Sequence, residues 1–243
     1  MERIVLVHGS VVGGRATWAA QRPLEERFRL VVVDRPGFPP NPPVDHVDFE
    51  RDAQLVADLL EPGDHLVGHS YGGVISLLAA AARPDALRSL TVIEPPATAV
   101  AVGNPAVDAF AAGGRALYAS GSTSDPETFL RRFFAAVGSQ FDPPTPLPPD
   151  LAQSAQALTV ERGPWDAEIP MEALAATPFP KLVVSGAHHP AFDAICDVLE
   201  CHLPAERIVL PGYGHVVQLH HPGFNNGLAD FVERAAQQGQ WPL

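Results

Sequence analysis

The sequence predicts an α/β protein in which a mainly parallel sheet is flanked by helices and interrupted by a helical insertion. Short apolar runs alternate with helical patterns in the first part of the chain, and this alternation stops between residues 97 and 177. It resumes from residue 178. Continuous apolar strands separated by helices are typical of a parallel sheet that is covered on both faces. A chain of 243 residues can hold one such domain together with its insertion.

Four predicted strands lie before the insertion, and each is a short, largely apolar run. They are residues 4–8, 29–34, 65–68 and 89–93. Residues 49–60 carry apolar side chains at positions 55, 56, 59 and 60, a spacing that predicts a helix. Residues 72–82 are apolar on almost every side, which predicts a helix buried against the sheet.

Beyond residue 96 the pattern changes to helical patches without a convincing strand, and one such patch covers residues 151–160. The elements predicted after this region are a strand at 181–185, a helix near 191–199, a strand at 207–210 and a helix near 223–238. We therefore predict a core domain built from residues 1–96 and 178–243. Residues 97–177 are predicted to form a helical lid, or cap.

The charge and cysteine content narrow the classes of partner and compartment. With 16 basic and 28 acidic side chains, the formal net charge is −12, and such a surface repels phosphate backbones and anionic lipids. Cys196 and Cys201 have no zinc-site spacing, and two buried thiols suit a reducing compartment. No signal-peptide pattern or long apolar span is evident. We expect a cytoplasmic monomer or homodimer that binds a small molecule, with neither nucleic acid nor membrane as a partner.

A candidate nucleophile lies where a predicted strand meets a predicted helix. Residues 68–72 read Gly-His-Ser-Tyr-Gly, which is the pattern G-x-S-x-G with Ser70 at its centre. The glycines at its ends permit a turn so sharp that the two backbones nearly touch. Such a pattern also arises by chance in a glycine-rich chain, but its position between strand and helix favours the nucleophile.

A serine hydroxyl needs a base to remove its proton, and His215 is the candidate among ten histidines. It follows the last predicted strand in the sequence Leu-Pro-Gly-Tyr-Gly-His, and this loop opens on the same edge of the sheet as Ser70. The alternative is a structural loop histidine. The backbone N–H groups of Tyr71 and Ser10 are the candidate oxyanion hole, because Ser10 follows Gly9 in the loop after the first strand. We expect His8 to support that loop by hydrogen bonding.

These motifs together resemble the α/β-hydrolase superfamily with a helical lid. The matching pieces are His8-Gly9, Asp34-Arg-Pro-Gly37, residues 68–72, and Pro211-Gly-Tyr-Gly-His215, in this order along the chain. The resemblance implies a sheet of about six mainly parallel strands and a serine hydrolase that needs no cofactor. It extends over the whole chain, with the lid as its least specific part.

The sequence departs from the superfamily at the acid of the catalytic triad. The resemblance places an aspartate after the strand that follows the lid, but His188 or His189 stands there, and Asp193 lies further along. The superfamily also places its acid directly after the strand before the lid, where this sequence has Glu94. A carboxylate at the end of an apolar strand is costly to bury without a partner, and a histidine N–H would supply one. Glu94 is our favoured acid and Asp193 the alternative, with a Ser–His dyad or a structural role for Glu94 also open.

The motifs predict acyl transfer through an acyl-enzyme on Ser70, with a small, largely uncharged ester or lactone as substrate, as in carboxylesterases. A non-hydrolytic member of the superfamily, which cleaves C–C bonds or cyanohydrins or cyclises natural products, is the alternative. A second alternative is a ligand-binding module without catalytic activity. Paired histidines at 188–189 and 220–221 rarely converge on one ion, so we expect no metal.

The predicted lid carries large apolar side chains that could line a pocket or pack the lid. They are Phe110, Leu117, Tyr118, Phe129, Phe133, Phe134 and Trp165. Since they stand at helical spacing, we expect packing to be the role of most of them.

Overall fold

Six parallel strands form the centre of the protein in a computed structural model that describes residues 1–120, 124–139 and 141–238. Their order across the sheet is β2-β1-β3-β4-β5-β6, and all neighbouring pairs are parallel. The strands are β1 (Arg3–Val7), β2 (Arg29–Val33), β3 (Asp64–His69), β4 (Leu87–Ile93), β5 (Lys181–Ser185) and β6 (Glu206–Val209). The predicted fold class, a mainly parallel sheet of about six strands with flanking helices, is confirmed.

Helices connect the strands and cover both faces of the sheet. Within the described residues the α-helices are α1 (Gly14–Thr17), α2 (Phe49–Leu59), α3 (Tyr71–Ala82), α4 (Pro105–Ala119), α5 (Pro126–Ala136), α6 (Pro149–Thr159), α7 (Met171–Ala175), α8 (Pro190–His202), α9 (Val217–His220) and α10 (Phe224–Gln238). The sequence patterns located α2, α3, α6, α8 and α10 to within a few residues. They did not identify the short helices α1, α7 and α9.

The hydrophobic core lies on the two faces of the sheet. Side chains of a strand alternate between its faces, so Val5 and Val7 of β1 pack with α2, α3 and α8, whereas Ile4 and Leu6 pack with α10. All four side chains are buried. Burial of each such side chain stabilises the fold by about 1.5–3 kcal/mol, so the apolar packing on both faces holds the sheet and its helices together.

Helices α4 to α7 lie between β4 and β5 in the chain, which is the region predicted as the lid. Asn104 and Asp125 cap the N-terminal ends of α4 and α5, since the side chain of each accepts hydrogen bonding from the first turn of its helix. Phe129 of α5 and Leu158 of α6 pack with Val11, which follows β1, and this contact joins the insertion to the core. The exact division into core and lid stays a prediction, and residues 121–123 and 140 lie outside the described residues.

Two further expectations concern membranes and cysteines. Among the described helices, none is both long enough and apolar enough to cross a membrane. Cys196 and Cys201 are both free thiols, and Cys196 is buried as expected. Cys201 is exposed, which corrects the expectation of two buried thiols, because the five-residue separation turns it to the outer side of α8.

Candidate active site

Ser70 lies at the sharp turn between β3 and α3. Its φ of 53° and ψ of −124° place it in a region that residues other than glycine rarely adopt, and this strain lifts its side chain out of the regular elements. A side chain at Gly68 would collide with the carbonyl oxygen of Gly72, and one at Gly72 would collide with the carbonyl oxygens of Val7 and His8. The two glycines are therefore required by the close approach of the backbones.

His215 connects Ser70 to Glu94. Its Nε2 lies 2.9 Å from Ser70 Oγ, and its Nδ1 lies 2.7 Å from Glu94 Oε2. A carboxylate only accepts hydrogen bonds, so Nδ1 carries the proton and Nε2 is left to accept the proton of the Ser70 hydroxyl. The structure thus brings together the three residues that the sequence analysis favoured as nucleophile, base and acid.

Glu94 follows β4 directly and is completely buried. Its Oε1 accepts a hydrogen bond from the Gly186 N–H at 2.6 Å and lies 3.2 Å from His188 Nδ1. Burial acts to raise the pKa of Glu94, but the hydrogen bonds with His188, His215 and Gly186 outweigh it and lower the pKa to about 2. Glu94 is therefore a carboxylate at neutral pH, with both oxygens in use.

Asp193, the alternative acid, is not brought to His215. It lies in the first turn of α8, and its side chain is hydrogen-bonded to Ser185. Because α8 already begins at Pro190, Asp193 is held on the helix rather than on the loop that faces His215. The structure therefore places Glu94, rather than Asp193, in contact with His215, and its role as the acid stays a prediction.

His69, which the sequence analysis did not single out, holds the backbone of the loop that carries His215. Its Nε2 donates a hydrogen bond to the carbonyl oxygen of His215 at 2.9 Å. Burial, together with the nearby His215, lowers the pKa of His69 to about 3, so its ring is neutral. Its place beside Ser70 in the G-x-S-x-G pattern was the signal that could have found it.

The loop after β1 lies directly against Ser70. A Cβ built on Gly9 would stand 2.9 Å from Ser70 Cβ, and both Ser10 and Tyr71 line the same cavity as Ser70. His8 supports this loop as expected, since its Nε2 accepts from the Arg35 N–H at 3.2 Å and its Nδ1 donates to the Gly9 carbonyl oxygen at 2.7 Å. Burial lowers the pKa of His8 to about 3, so the ring is neutral.

A buried charge network, which sequence reasoning missed, stands behind this loop. The Arg35 guanidinium donates to Asp52 at 2.8 Å, to Glu161 at 2.9 Å and to the Gly9 carbonyl oxygen at 2.9 Å. The hydroxyl of Ser10 donates to the other oxygen of Glu161. Burial raises the pKa of Glu161 even though Arg35 opposes that shift. Because Glu161 follows α6, this network ties the insertion to the loop that positions Ser10.

A largely apolar cavity of about 460 Å³ opens in front of Ser70. Several of the large side chains of the predicted lid line it. They are Phe110, Leu117, Tyr118, Phe133 and Trp165. Most of the seven side chains also have the packing role that the sequence analysis expected. The apolar cluster of the insertion includes Leu117, Tyr118, Phe129, Phe133 and Phe134. Among these, Phe129 and Phe134 do not line the cavity.

Within the residues that the structure describes, Glu94, His188 and His215 form a cluster with the ligand types of a metal site, since one ligand atom from each lies within 4.8 Å of the others. The Nδ1 atoms of both histidines already face the Glu94 carboxylate. A metal on His215 Nδ1 would displace the proton that the contact with Glu94 requires. We interpret the cluster as a hydrogen-bonded set, and the expected absence of a metal stays a prediction.

A parallel sheet that presents a serine, a histidine and a carboxylate at its carboxyl edge defines an α/β-hydrolase-type protein. The comparison with known families agrees, because the sequence profile of the alpha/beta hydrolase family matches residues 4–225. The chain belongs to this family, and the resemblance inferred from its motifs is confirmed.

The sequence identity between this chain and individual relatives is low. Over 134 residues the chain is 33% identical to the pimeloyl-[acyl-carrier protein] methyl ester esterase of Methylococcus capsulatus, a match that covers 54% of this chain and about half, 51%, of that protein. NosK from Streptomyces actuosus superposes with a TM-score of 0.67 at 23% identity, over 97% of this chain and 99% of that one. MenH from S. aureus superposes with a TM-score of 0.72 at 17% identity, over 97% and 94%. At these identities the two structures show the fold alone.

Proposed function

We propose that the protein is a serine hydrolase that cleaves a small, largely uncharged ester or lactone through an acyl-enzyme on Ser70. The observation that carries the proposal is the bridge formed by His215, which lies 2.9 Å from the Ser70 hydroxyl and 2.7 Å from Glu94. The curated relative from Methylococcus capsulatus, whose name describes an ester esterase, supports the same type of reaction. The proposed reaction requires neither a cofactor nor a metal.

In the proposed mechanism, Ser70 Oγ attacks the carbonyl carbon of the ester while His215 Nε2 takes its proton. The oxyanion that forms accepts hydrogen bonds from the backbone N–H groups of Ser10 and Tyr71, each worth about 3 kcal/mol. Collapse of this intermediate breaks the ester bond, and His215 returns the proton to the leaving alkoxide. Glu94 holds the Nδ1 proton and stabilises the positive ring of His215.

Water completes the proposed cycle. His215 takes a proton from a water molecule, whose oxygen attacks the acyl carbon on Ser70. The second intermediate expels the serine oxygen, which recovers its proton from His215, and the free acid leaves. For a lactone, acid and alcohol remain joined in one hydroxy acid.

The lining of the cavity supports the proposal that the acyl group of the substrate is uncharged. Its walls are mainly aliphatic and aromatic, and an apolar acyl chain loses little by leaving water to enter it. Glu161 is a carboxyl group on this wall, but Arg35 and Ser10 already hold its two oxygens. We therefore propose a small-molecule partner without a formal charge on its acyl part, handled in the cytoplasm by a monomer or homodimer.

The proposal is tested with p-nitrophenyl butyrate and a fluorophosphonate probe. We expect turnover of the ester by the wild-type protein, and a single phosphonate adduct that mass spectrometry locates on Ser70. The variant Ser70→Ala, with the same cavity, should show neither. Labelling of Ser70 without turnover of any ester would instead favour the non-hydrolytic alternative, and an absence of labelling would favour a binding module.

A further inference from the structure

His188 occupies the place where the superfamily resemblance implies an acid, and both of its ring nitrogens face acceptors. Its Nδ1 lies 3.2 Å from Glu94 Oε1, and its Nε2 lies 3.3 Å from the carbonyl oxygen of Val137. A neutral imidazole carries one N–H and could donate to only one of these oxygens. The geometry is satisfied on both sides when the ring carries two protons and one positive charge.

The surroundings of His188 favour that charge. Val137 directly follows α5 as its C-terminal cap, and the carbonyl groups at the end of a helix carry partial negative charge that stabilises a nearby cation. On the opposite side stands the buried carboxylate of Glu94. Burial lowers the pKa of His188, but the hydrogen bond with Glu94 and its charge outweigh this and raise the pKa above its ordinary value.

Besides Glu94, three titratable side chains influence the charge of His188. Asp193, on α8, adds a further favourable negative charge. His189 is the next residue along the chain, and burial lowers its pKa, so it adds no fixed positive charge. His215 faces His188 with a ring-to-ring distance of 5.7 Å, and the two rings share Glu94 between them.

We infer that His188 is a positioning residue that, as an imidazolium, holds Glu94 in place and fastens the end of α5 to it. The inference rests on the proposed function of Ser70 and His215. Two consequences follow. The wall of the cavity formed by the end of α5 and the acid of the triad become one hydrogen-bonded unit. The charge of His188, whose ring lies 5.7 Å from that of His215, also opposes a second positive charge at this place.

The pH dependence of Ser70 labelling tests this inference, with the rate of fluorophosphonate inactivation measured between about pH 5 and 9. His188→Gln keeps a neutral hydrogen-bond donor of similar length but removes the charge. We expect the acid limb of its profile to lie about one pH unit higher than in the wild type. His202→Gln makes the same change at the exposed far end of α8 and should overlay the wild type.

Hydrogen exchange of residues 126–136 supplies a second readout that does not depend on chemistry at Ser70. We expect α5 to exchange faster in His188→Gln than in the wild type, and His202→Gln to match the wild type. An acid limb that stays in place in His188→Gln, or an unchanged exchange of α5, would overturn the inference. If the wild type is not labelled at all, the proposed function fails, and the exchange of α5 alone decides whether His188 fastens this helix.

Discussion

Glu94 is a buried carboxylate whose two oxygens serve different partners. One oxygen accepts from His215 Nδ1, and the other accepts from Gly186 and faces His188. Such an arrangement fixes the tautomer and direction of the His215 ring, which a nucleophilic serine requires. At the scale of single residues, the assignment of the acid is therefore the point that substitution can test most directly.

Glu94→Gln should lower kcat/KM for p-nitrophenyl butyrate by about 10³–10⁴-fold, because an amide cannot stabilise the positive His215 ring. Asp193→Asn is the matched control, and we expect it to stay within about threefold of the wild type, since Asp193 bonds to Ser185. The reverse result, a large loss in Asp193→Asn with most activity kept in Glu94→Gln, would contradict the assignment.

At the scale of elements, the turn between β3 and α3 depends on the absence of side chains at its two ends. A Cβ at Gly72 would overlap the backbone carbonyl oxygens of Val7 and His8, which belong to the neighbouring strand and its loop and cannot move aside cheaply. The turn also holds Ser70 in its strained conformation. The close packing of β1 against α3 and the position of Ser70 therefore depend on the same turn.

Gly72→Ala should destabilise the protein by about 3 kcal/mol, as overpacking against backbone does. Gly113→Ala makes the same change inside α4, where no atom lies within 4 Å of the new Cβ. That variant should gain about 0.5–1 kcal/mol from the better helix propensity of alanine. Urea unfolding measures both, and equal effects at the two positions would refute the close-approach argument.

The elements themselves differ in how far sequence alone could locate them. The strands were found because each is a continuous apolar run, and β5 was predicted with its observed bounds. The helix α4 was not delimited, since its sequence is rich in alanine and glycine and its apolar side chains line the cavity rather than one packed stripe. Short helices such as α9 are stabilised by their packing and carry no periodic signal of their own.

At the scale of the whole molecule, Arg35 connects three separate regions. Its guanidinium binds Asp52 of α2, Glu161 after α6 and the loop after β1. The two carboxylates and the guanidinium are nearly completely buried, so loss of any one of them would leave an uncompensated charge in the interior. The network thus helps to set how the insertion sits over the sheet.

Arg35→Met should lower the free energy of unfolding by about 3–5 kcal/mol, because it leaves two buried carboxylates without their cation. Arg27→Met is the control, since Arg27 forms an exposed pair with Glu233 and such pairs contribute about 0–1 kcal/mol. Comparable losses in the two variants, measured by urea unfolding, would show that the buried network does not carry this role.

Acid should destabilise the whole fold through its buried histidines. Burial lowers the pKa of His8 and His69 to about 3 and that of His65 to about 4, against about 6.5 in an unfolded chain. Below pH 6.5 the unfolded state therefore binds more protons, and stability falls as the pH falls. Glu94 adds to this, since the stability from its lowered pKa of about 2 is present above pH 4.5 and is lost below it.

Urea unfolding measures this pH dependence. The three histidines together should lower the free energy of unfolding by about 7 kcal/mol between pH 7 and 4.5, since each of them has a folded-state pKa well below 6.5. A value that stays constant over that range would mean that the three histidines are already protonated in the folded protein or remain solvated. A steeper fall would point to further groups that charge on unfolding.

The sequence by itself determined the features that depend on neighbours along the chain. Apolar runs separated by helical spacing are enough to specify a parallel sheet, because the alternation reflects burial on two faces. The G-x-S-x-G turn placed Ser70 for the same reason, since strand, turn and helix are contiguous. The order of the motifs also led to the alpha/beta hydrolase family, which the family comparison confirmed.

Only the tertiary structure decided which distant groups meet. Glu94 and His215 are 121 positions apart, and Arg35 and Glu161 are 126 positions apart, so no local pattern links them. The choice of Glu94 over Asp193 depends on where α8 begins, and the role inferred for His188 depends on the end of α5 lying beside its ring. Hydrogen bonds between charged and polar groups act over about 3 Å, and packing of the whole chain sets such distances.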